Sequence, residues 1–317
     1  MSNSELYKKG REIFKGIVAI SITPMKEDQS VDEQGFRSHL NFIFENALKG
    51  NEGCLVITGS TGECGALSIG ERKKIMEIAV DEIGDKVPVI VGCNHSNIYD
   101  VIDLAKYAEK VGAKGVMILA PYYYRPTDDV IIDFYKEVSS KIGLGIMIYN
   151  NIEVTRYDIP IPVLEELAEI PNIVAIKECT PNFVKLVREV DILGDRLQII
   201  NGHGEFLEPF AGLSGSPGFI SSTANFAPKV VRALWEAIKN KDFGKALEIR
   251  KTLNAYLYFA MDLGSKGGEP KVLALIKKLT DLVGSKGGPG RIPILELDSK
   301  ELEIARDIAS KIKSSPW

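Results

Sequence analysis

Residues 145–180 have the sequence GIMIYNNIEVTRYDIPIPVLEELAEIPNIVAIKECT. Two short apolar runs, 145–151 and 172–180, flank an amphipathic stretch at 161–169 with helical spacing. Each run is almost continuously apolar, which is typical of a parallel strand covered by helices on one side and by core on the other. The segment therefore predicts a strand, a helix and a second strand parallel to the first.

The same alternation continues along the chain. Further apolar runs lie at 16–24, 54–60, 87–93, 115–123, 197–204 and 218–225. Helical patterns lie at 32–48, 69–83, 98–111, 128–141, 181–192, 205–213 and 228–239. Eight strand-helix units favour a closed (β/α)₈ TIM barrel, an α/β fold, over an open doubly wound sheet. The first strand also runs into ITPMKEDQS at 22–30, which lacks the glycine-rich nucleotide loop of such a sheet.

The chain beyond the barrel is purely helical in pattern. Helices are predicted at 242–262, about 270–283 and 298–313. The motif GSKGG occurs at 264–268 and 284–288, and we interpret both copies as turns between helices, because neither follows a strand as a P-loop does. The sequence thus predicts a catalytic barrel domain at 1–240 and, at 241–317, helices packed on the barrel.

Composition argues against several classes of protein. The net charge of −4 does not favour nucleic acid or an anionic membrane as a partner. No run approaches the ~18 apolar residues of a membrane span, and residues 1–16 lack the apolar core of a secretory signal. The four cysteines, Cys54, Cys64, Cys93 and Cys179, form no CxxC pair, so we expect reduced thiols and no metal site. These features predict a cytoplasmic protein.

Lys177 is the most unusual residue at the carboxyl ends of the strands, where TIM barrels build their active sites. It follows the apolar run Ile173–Ile176, although lysine is depleted in strands. By alternation it shares a face with Ile173 and Ala175, and if that face points inward, burial should lower the amine pKa. A neutral amine can attack a ketone to form an imine. The alternatives are a lysine that reaches the barrel rim or one paired with Glu178.

Hydroxyl groups are predicted close to this lysine. Tyr149 ends the neighbouring strand and could transfer protons, with Ser60 and the tyrosines of 121–126 as relay partners, since a phenol alone is a poor base at neutral pH. The glycines of GSTGE, 59–63, could direct backbone N–H and hydroxyl groups at one carboxylate. A tyrosine that merely covers the core and a generic turn are the structural alternatives.

In combination these segments resemble the dihydrodipicolinate synthase / N-acetylneuraminate lyase family of Schiff-base-forming enzymes. The motifs that carry the resemblance are GSTGE (59–63), APYYYRP (120–126), IMIYNN (146–151), IVAIKE (173–178) and GFISSTAN (218–225). The similarity extends over nearly the whole chain, from IVAISITPM at 17–25 to RIPILELDSKE at 291–301. It implies a class I lyase that acts on pyruvate or a related 2-oxo acid.

The resemblance also implies roles for particular residues. Lys177 matches the imine-forming lysine and Tyr149 the tyrosine that transfers protons. Ser60 and Tyr123 match a hydroxyl relay in which the synthases have threonine and tyrosine. Ser60 and Thr61 lie where the family holds the 2-oxo acid carboxylate.

Two backbone positions complete the implied substrate cavity, Gly202 and Ile220. Members of the family are typically tetrameric and need no metal or organic cofactor. We therefore expect a homotetramer or homodimer whose partners are a pyruvate-like 2-oxo acid and an aldehyde.

The segment after Tyr149 departs from the synthases. They continue this tyrosine as Tyr-Asn-x-Pro-x-Arg, and the arginine holds a second carboxylate. Here Ile152 replaces the proline, Val154 stands at the arginine position, and Arg156 comes two residues later. The stretch 149–162 is more similar to hydratase-aldolases and to pyrroline-hydroxycarboxylate deaminases.

The leading hypothesis is therefore aldol-type carbon–carbon bond formation or cleavage through an imine on Lys177. One alternative is 4-hydroxy-tetrahydrodipicolinate synthesis proper, and another is a dehydratase, deaminase or hydratase-aldolase of a hydroxylated 2-oxo acid. A non-catalytic relative that binds a 2-oxo acid is the alternative from a different class. Whether Arg156 replaces the missing arginine is left open by the sequence.

Overall fold

Eight parallel strands close into a barrel in the computed structural model, which describes residues 8, 10–291, 293–294 and 296–317. The strands are β1 Gly16–Ile20, β2 Gly53–Ile57, β3 Val89–Gly92, β4 Gly115–Leu119, β5 Gly145–Asn150, β6 Ile173–Glu178, β7 Gln198–Asn201 and β8 Gly218–Ser221. The predicted TIM barrel is confirmed. The predicted runs are longer than the strands because each run continues into the loop that follows its last ladder residue. The first residues of the predicted barrel domain, 1–7 and 9, lie outside the described part, as do 292 and 295 within the RIPILELDSKE motif.

Helices surround the barrel. In chain order they are α1 Glu33–Ile43, α2 Ile69–Ile83, α3 Ile98–Val111, α4 Asp128–Ser139, α5 Ile161–Leu167, α6 Phe183–Leu193, α7 Glu208–Leu213 and α8 Pro228–Lys239. A π-helical segment, Phe44–Leu48, extends α1, and a single turn, Ile152–Thr155, follows β5. Ser68 and Glu71 form a capping box at the start of α2.

Two apolar layers hold this architecture together. Val18, Val56, Met147 and Ala175 belong to the cluster inside the barrel, whereas a larger cluster lies between the strands and the helices. Ile173 is in the outer cluster, so it does not share the face of Lys177 and Ala175 as simple alternation predicted. The cause is a shift in register between β5 and β6, where Ile146 pairs with Ile173 but Met147 pairs with Ala175.

The C-terminal helices differ from their prediction. They are α9 Phe243–Thr252, α10 Asn254–Leu282 and α11 Ser299–Lys313, so the single helix expected at 242–262 is two helices. The first GSKGG copy is helical as far as Gly267, and the predicted break between two helices is confined to Gly268, where φ is +67° and the two helical parts of α10 meet at a kink. The buried residues Leu263 and Leu273 anchor α10 on both sides of this kink.

The second GSKGG copy does leave the helix, with Gly284 at φ +98° and Gly288 at φ +68°. Only glycine adopts such angles without steric cost. The chain then follows a long connection to α11 rather than a tight turn. In the part of the chain that the structure describes, no helix combines the length and apolarity needed to span a membrane.

Candidate active site

A cavity of about 510 Å³ opens at the carboxyl end of the barrel. Six of the positions singled out from the sequence line it: Ser60, Thr61, Tyr149, Lys177, Gly202 and Ile220. They come from the ends of β2, β5, β6, β7 and β8. The barrel therefore brings together residues that are up to 160 positions apart in the chain.

Lys177 extends from β6 into this cavity and is 5% exposed. Its Nζ lies 3.8 Å from the ring centre of Tyr149, its partner in the β5–β6 register. The alternative in which Lys177 pairs with Glu178 does not occur, because Glu178 lies on the other face of β6 and accepts hydrogen bonds from Asn150 and Lys185. Lys177 is thus a buried amine directed at the cavity.

The lowered pKa expected for this amine is wrong. Burial is the largest single influence and favours the neutral form, but the neighbouring Tyr149 and Cys179 side chains attract the ammonium, as does Glu269. Their combined effect outweighs burial and raises the pKa of Lys177 above its ordinary value. The resting amine is therefore protonated at neutral pH and must lose a proton before it can attack a carbonyl.

Tyr149 is buried beside the lysine, and burial raises the pKa of its phenol although the charge of Lys177 opposes this. The Asn151 side chain donates a hydrogen bond of 2.9 Å to the Tyr149 Oη. Because Asn151 occupies an acceptor position of that oxygen, the phenol proton is free to be donated elsewhere. Tyr149 can therefore donate a proton into the cavity while Asn151 holds its ring in place.

The turn at 59–63 has an unusual backbone. Thr58 and Glu63 both have left-handed geometry, at φ +52° and +58°, and the Glu63 N–H donates to the Ser60 carbonyl at 2.9 Å. A Cβ on Gly62 would lie 3.1 Å from the Ser21 carbonyl oxygen, so the chain passes close to β1 here. The turn directs Ser60 and Thr61 toward the cavity.

A buried ion pair connects this turn to α10. Glu63 and Lys277, on α10, form an ion pair in which the side chains are 1% and 2% exposed. Lys277 also donates to the Thr23 carbonyl at 2.9 Å, and the Arg291 N–H donates to Glu63 at 2.9 Å. We call Glu63, Lys277 and Arg291 the turn latch. Sequence reasoning missed it because nothing in a helical pattern marks one lysine as buried.

Gly202 fits its position because the chain is crowded there. A Cβ at this residue would lie 2.4 Å from the Cys179 Sγ and 2.5 Å from the Glu178 carbonyl oxygen. No larger residue could occupy the place without displacing β6, which carries Lys177. The glycine therefore lets the chain after β7 pack closely against the end of β6 at the edge of the cavity.

Tyr123 and Arg156 lie outside the cavity within a single chain. Tyr123 is 69% exposed and packs edge-on against Tyr124, with ring centres 4.9 Å apart. Arg156 is exposed, and its Nη2 lies 3.4 Å from the Tyr123 carbonyl oxygen. The turn Ile152–Thr155 instead brings Glu153 to the cavity. The Arg156 side chain is therefore not among the described groups that line this cavity.

The C-terminal helices contribute part of the cavity wall, which the sequence did not indicate. The residues involved are Tyr256, Leu257, Ala260, Met261, Glu269 and Val272. Glu269 directly follows the GSKGG motif at 264–268, whose last residue forms the kink. This motif is the sequence signal that could have drawn attention to Glu269. In the described residues no group of three or more His, Cys, Asp and Glu side chains is arranged to hold a metal ion.

The chain has similarity to known proteins over almost its full length. The sequence profile described as "Dihydrodipicolinate synthetase family" matches residues 13–312. The 4-hydroxy-tetrahydrodipicolinate synthase of Methanothrix thermoacetophila is 29% identical, over 95% of this chain and 97% of the relative. The protein of the same name from Nitrobacter hamburgensis is 32% identical, over 93% and 95%. The crystal structure of dihydrodipicolinate synthase from Aquifex aeolicus superposes with a TM-score of 0.85 at 27% identity, over 95% of this chain and 98% of that one.

Proposed function

The chain belongs to the dihydrodipicolinate synthetase family and is thus a class I lyase of the Schiff-base type, and we propose that Lys177 forms its imine with pyruvate or a related 2-oxo acid. The observation that carries this proposal is the buried amine of Lys177, directed into the cavity beside Tyr149. Identity near 30% does not define the second substrate.

Imine formation needs proton transfers that the cavity can support. The Lys177 ammonium loses one proton, and its Nζ attacks the keto carbon to give a carbinolamine. The former carbonyl oxygen then takes up protons and leaves as water, which gives a protonated imine. Tyr149 is the proton donor and acceptor in contact with these atoms, and Ser60 is the hydroxyl on the opposite cavity wall.

The imine then acts as an electron sink. It acidifies the adjacent carbon, and loss of a proton there gives an enamine that attacks an aldehyde; the reverse sequence cleaves a carbon–carbon bond. The substrate carboxylate is held by Ser60 and Thr61 on the turn that the latch supports. Gly202 and Ile220 contribute backbone atoms to the opposite wall.

Aldol-type chemistry with an aldehyde as second substrate is the activity that we propose. The position of Arg156 outside the cavity argues against 4-hydroxy-tetrahydrodipicolinate synthesis proper, because the arginine that grips the second carboxylate has no replacement. Dehydration or deamination of a hydroxylated 2-oxo acid would use the same imine, and the Asn151–Tyr149 hydrogen bond lies in the segment that resembles those enzymes.

We further propose a cytoplasmic homodimer or homotetramer. Tyr99, Tyr123 and Tyr124 are 78%, 69% and 80% exposed, and large aromatic side chains of this kind are enriched at protein interfaces. A second copy packed on this surface would let Tyr123 join the hydroxyl relay, which it does not reach within one chain. Light scattering on the purified chain measures the mass, and a strictly monomeric protein would contradict the proposal.

Trapping of the imine tests the proposed chemistry. The protein is incubated with pyruvate and reduced with borohydride, and we expect mass spectrometry to locate one adduct on Lys177. The variant Lys177→Ala should form none, whereas Lys106→Ala, which removes an exposed lysine elsewhere, should form it normally. An adduct that persists in Lys177→Ala would contradict the proposal.

A further inference from the structure

Glu153 and Glu269 are two of the three acidic side chains among the described residues that line the cavity. Glu153 comes from the single helical turn after β5, and Glu269 from the kink in α10. Both residues keep solvent-accessible surface, although the cavity walls partly desolvate the Glu269 carboxylate, so a molecule in the cavity can reach them. They belong to the segments where this chain departs from the synthases and where its C-terminal helices close the barrel.

Neither side chain is committed to another part of the protein. Within the described residues, neither the Glu153 nor the Glu269 carboxylate forms an ion pair or a hydrogen bond. Glu205, the third acidic side chain among the described residues that line the cavity, accepts hydrogen bonds from Ser221 and Thr223 instead. The two carboxylates are thus open to a ligand.

The electrostatics of this pair favour a cation. The cavity walls desolvate the Glu269 carboxylate and raise its pKa; repulsion from Glu153 adds to this, while Lys177 opposes it. A bound cation would offset the cost of desolvation and reduce the repulsion, whereas an anion would increase the repulsion.

Among the described residues that line the cavity, Lys177 is the only lysine or arginine, so no second one is present to pair with a second acid group. Once its nitrogen is part of the imine, its charge lies next to the carboxylate that Ser60 and Thr61 hold. A carboxylate or phosphate at the far end of the substrate would face Glu153 and Glu269 instead.

We propose that the part of the substrate beyond the 2-oxo acid carries a cationic amino group, which binds between Glu153 and Glu269, and carries no second acid group. The inference rests on the Lys177 imine proposed above. It names the specificity-determining residues of that site and the chemical class of the substrate. An amino aldehyde added to pyruvate and a 2-oxo acid with a distal ammonium both belong to this class.

Three 2-oxo acids of matched chain length test the preference, ending in a methyl, a carboxylate or a trimethylammonium group. The quaternary nitrogen cannot condense with the keto group, so the linear compound is the one presented to the protein. Borohydride trapping on Lys177 gives the half-saturating concentration of each. We expect the cationic compound to half-saturate at about a tenfold lower concentration than the neutral one, and the anionic compound at a higher one.

The ratio between the cationic and neutral compounds is then measured in Glu153→Gln, in Glu269→Gln and in the double variant. We expect each single change to reduce the ratio and the double change to bring it close to one. Because the ratio is taken within one variant, a general loss of folded protein cancels. Asp262→Asn, an exposed acid on α10 that does not line the cavity, is the matched control and should keep the wild-type ratio.

Pyruvate, measured in parallel, separates the two proposals. If pyruvate forms the adduct but the cationic compound has no advantage, or if the advantage survives in the double variant, the inference is overturned and the imine chemistry stands. If neither pyruvate nor any of the three compounds is trapped on Lys177, both proposals fall.

Discussion

The charge of Lys177 controls the first chemical step. The neighbours that face this amine, Tyr149, Cys179 and Glu269, together raise its pKa despite burial. Attack on a carbonyl requires the free amine, whose fraction rises about tenfold per pH unit below the pKa. We therefore expect the rate of imine formation with pyruvate to increase steadily from pH 6 to 9.

A pH-jump experiment measures this rate. Imine is formed for a short fixed time at each pH, and every sample is then reduced at one common pH. A rate that reaches a plateau at or below pH 7 would show that the amine is already neutral there, as burial alone would predict.

Tyr149 has two separable effects on the same step. Its removal in Tyr149→Phe takes away one attraction that raises the pKa of Lys177, so the rising rate profile should move to lower pH. Because the variant lacks the phenol hydroxyl that transfers protons, enamine formation should also be slower by about 10²- to 10⁴-fold, the usual contribution of a positioned acid–base group.

Exchange of the pyruvate methyl protons with D₂O, followed by NMR, reports enamine formation without any second substrate. The variant Asn151→Ala is a useful comparison, since it keeps the phenol but removes the hydrogen bond that orients it. A Tyr149→Phe profile displaced to higher pH would contradict the electrostatic role.

The positions of some single residues could be predicted from the sequence, but other properties of single residues could not. Lys177 and Tyr149 could be placed together because both end neighbouring strands of a barrel. The direction of the lysine pKa shift was predicted wrongly, since Tyr149, Cys179 and, less strongly, Glu269 together outweigh burial, and the sequence does not give their distances from the amine. The position of the Arg156 side chain could not be predicted either. Arg156 ends a one-turn helix and itself has left-handed geometry, at φ +55°, and its side chain therefore lies outside the cavity.

At the scale of elements, the turn latch links α10 and the connection after it to the turn 59–63. Replacement of Lys277 by methionine would leave Glu63 as a buried carboxylate without its ion-pair partner. Loss of one partner of a buried pair typically costs 3–5 kcal/mol. We expect Lys277→Met to lower the free energy of unfolding by about 3 kcal/mol and to raise the pyruvate concentration needed for half-maximal trapping.

Urea denaturation and trapping on the same samples measure the two effects. In the double variant Lys277→Met, Glu63→Gln the uncompensated charge is gone, so we expect part of the stability to return. Lys311→Met removes one member of an exposed pair on α11, with side chains 60% and 58% exposed, and should change stability little. If Lys277→Met behaved like this control, the latch would not support the turn.

The elements themselves were largely predictable, and the exceptions have local causes. Eight strands and the helices between them follow from apolar runs and from spacing, and α2, α3 and α8 have the predicted bounds. The first GSKGG copy is predicted to be a turn between helices, but the break is confined to its last residue, Gly268. Leu263 and Leu273 are buried on either side of this break, and no local pattern indicates that so little of the copy leaves the helix.

The molecule as a whole has one continuous core between its barrel and its C-terminal helices. Tyr256, Leu275 and Ile308 belong to the same apolar cluster as residues of α1 and α2. Polar contacts cross the predicted domain boundary as well: His39 is hydrogen-bonded to Ser285 at 2.9 Å. A segment that shares its core with the barrel has too little apolar surface of its own to fold alone.

We therefore expect residues 1–240 and 241–317 to unfold together, and the two tryptophans allow each part to be followed. Trp235 on α8 reports the barrel, since its Nε1 donates to Glu52 at 3.0 Å, and Trp317 packs on the core from the C-terminus. In urea, the fluorescence transitions of Trp317→Phe and Trp235→Phe should share a midpoint with each other and with the helical circular dichroism of the same variant. A Trp317 signal that is lost at lower urea than the Trp235 signal would show that the C-terminal helices open separately. The cavity wall formed by Tyr256 and Glu269 would then be a detachable part of the active site rather than a fixed one.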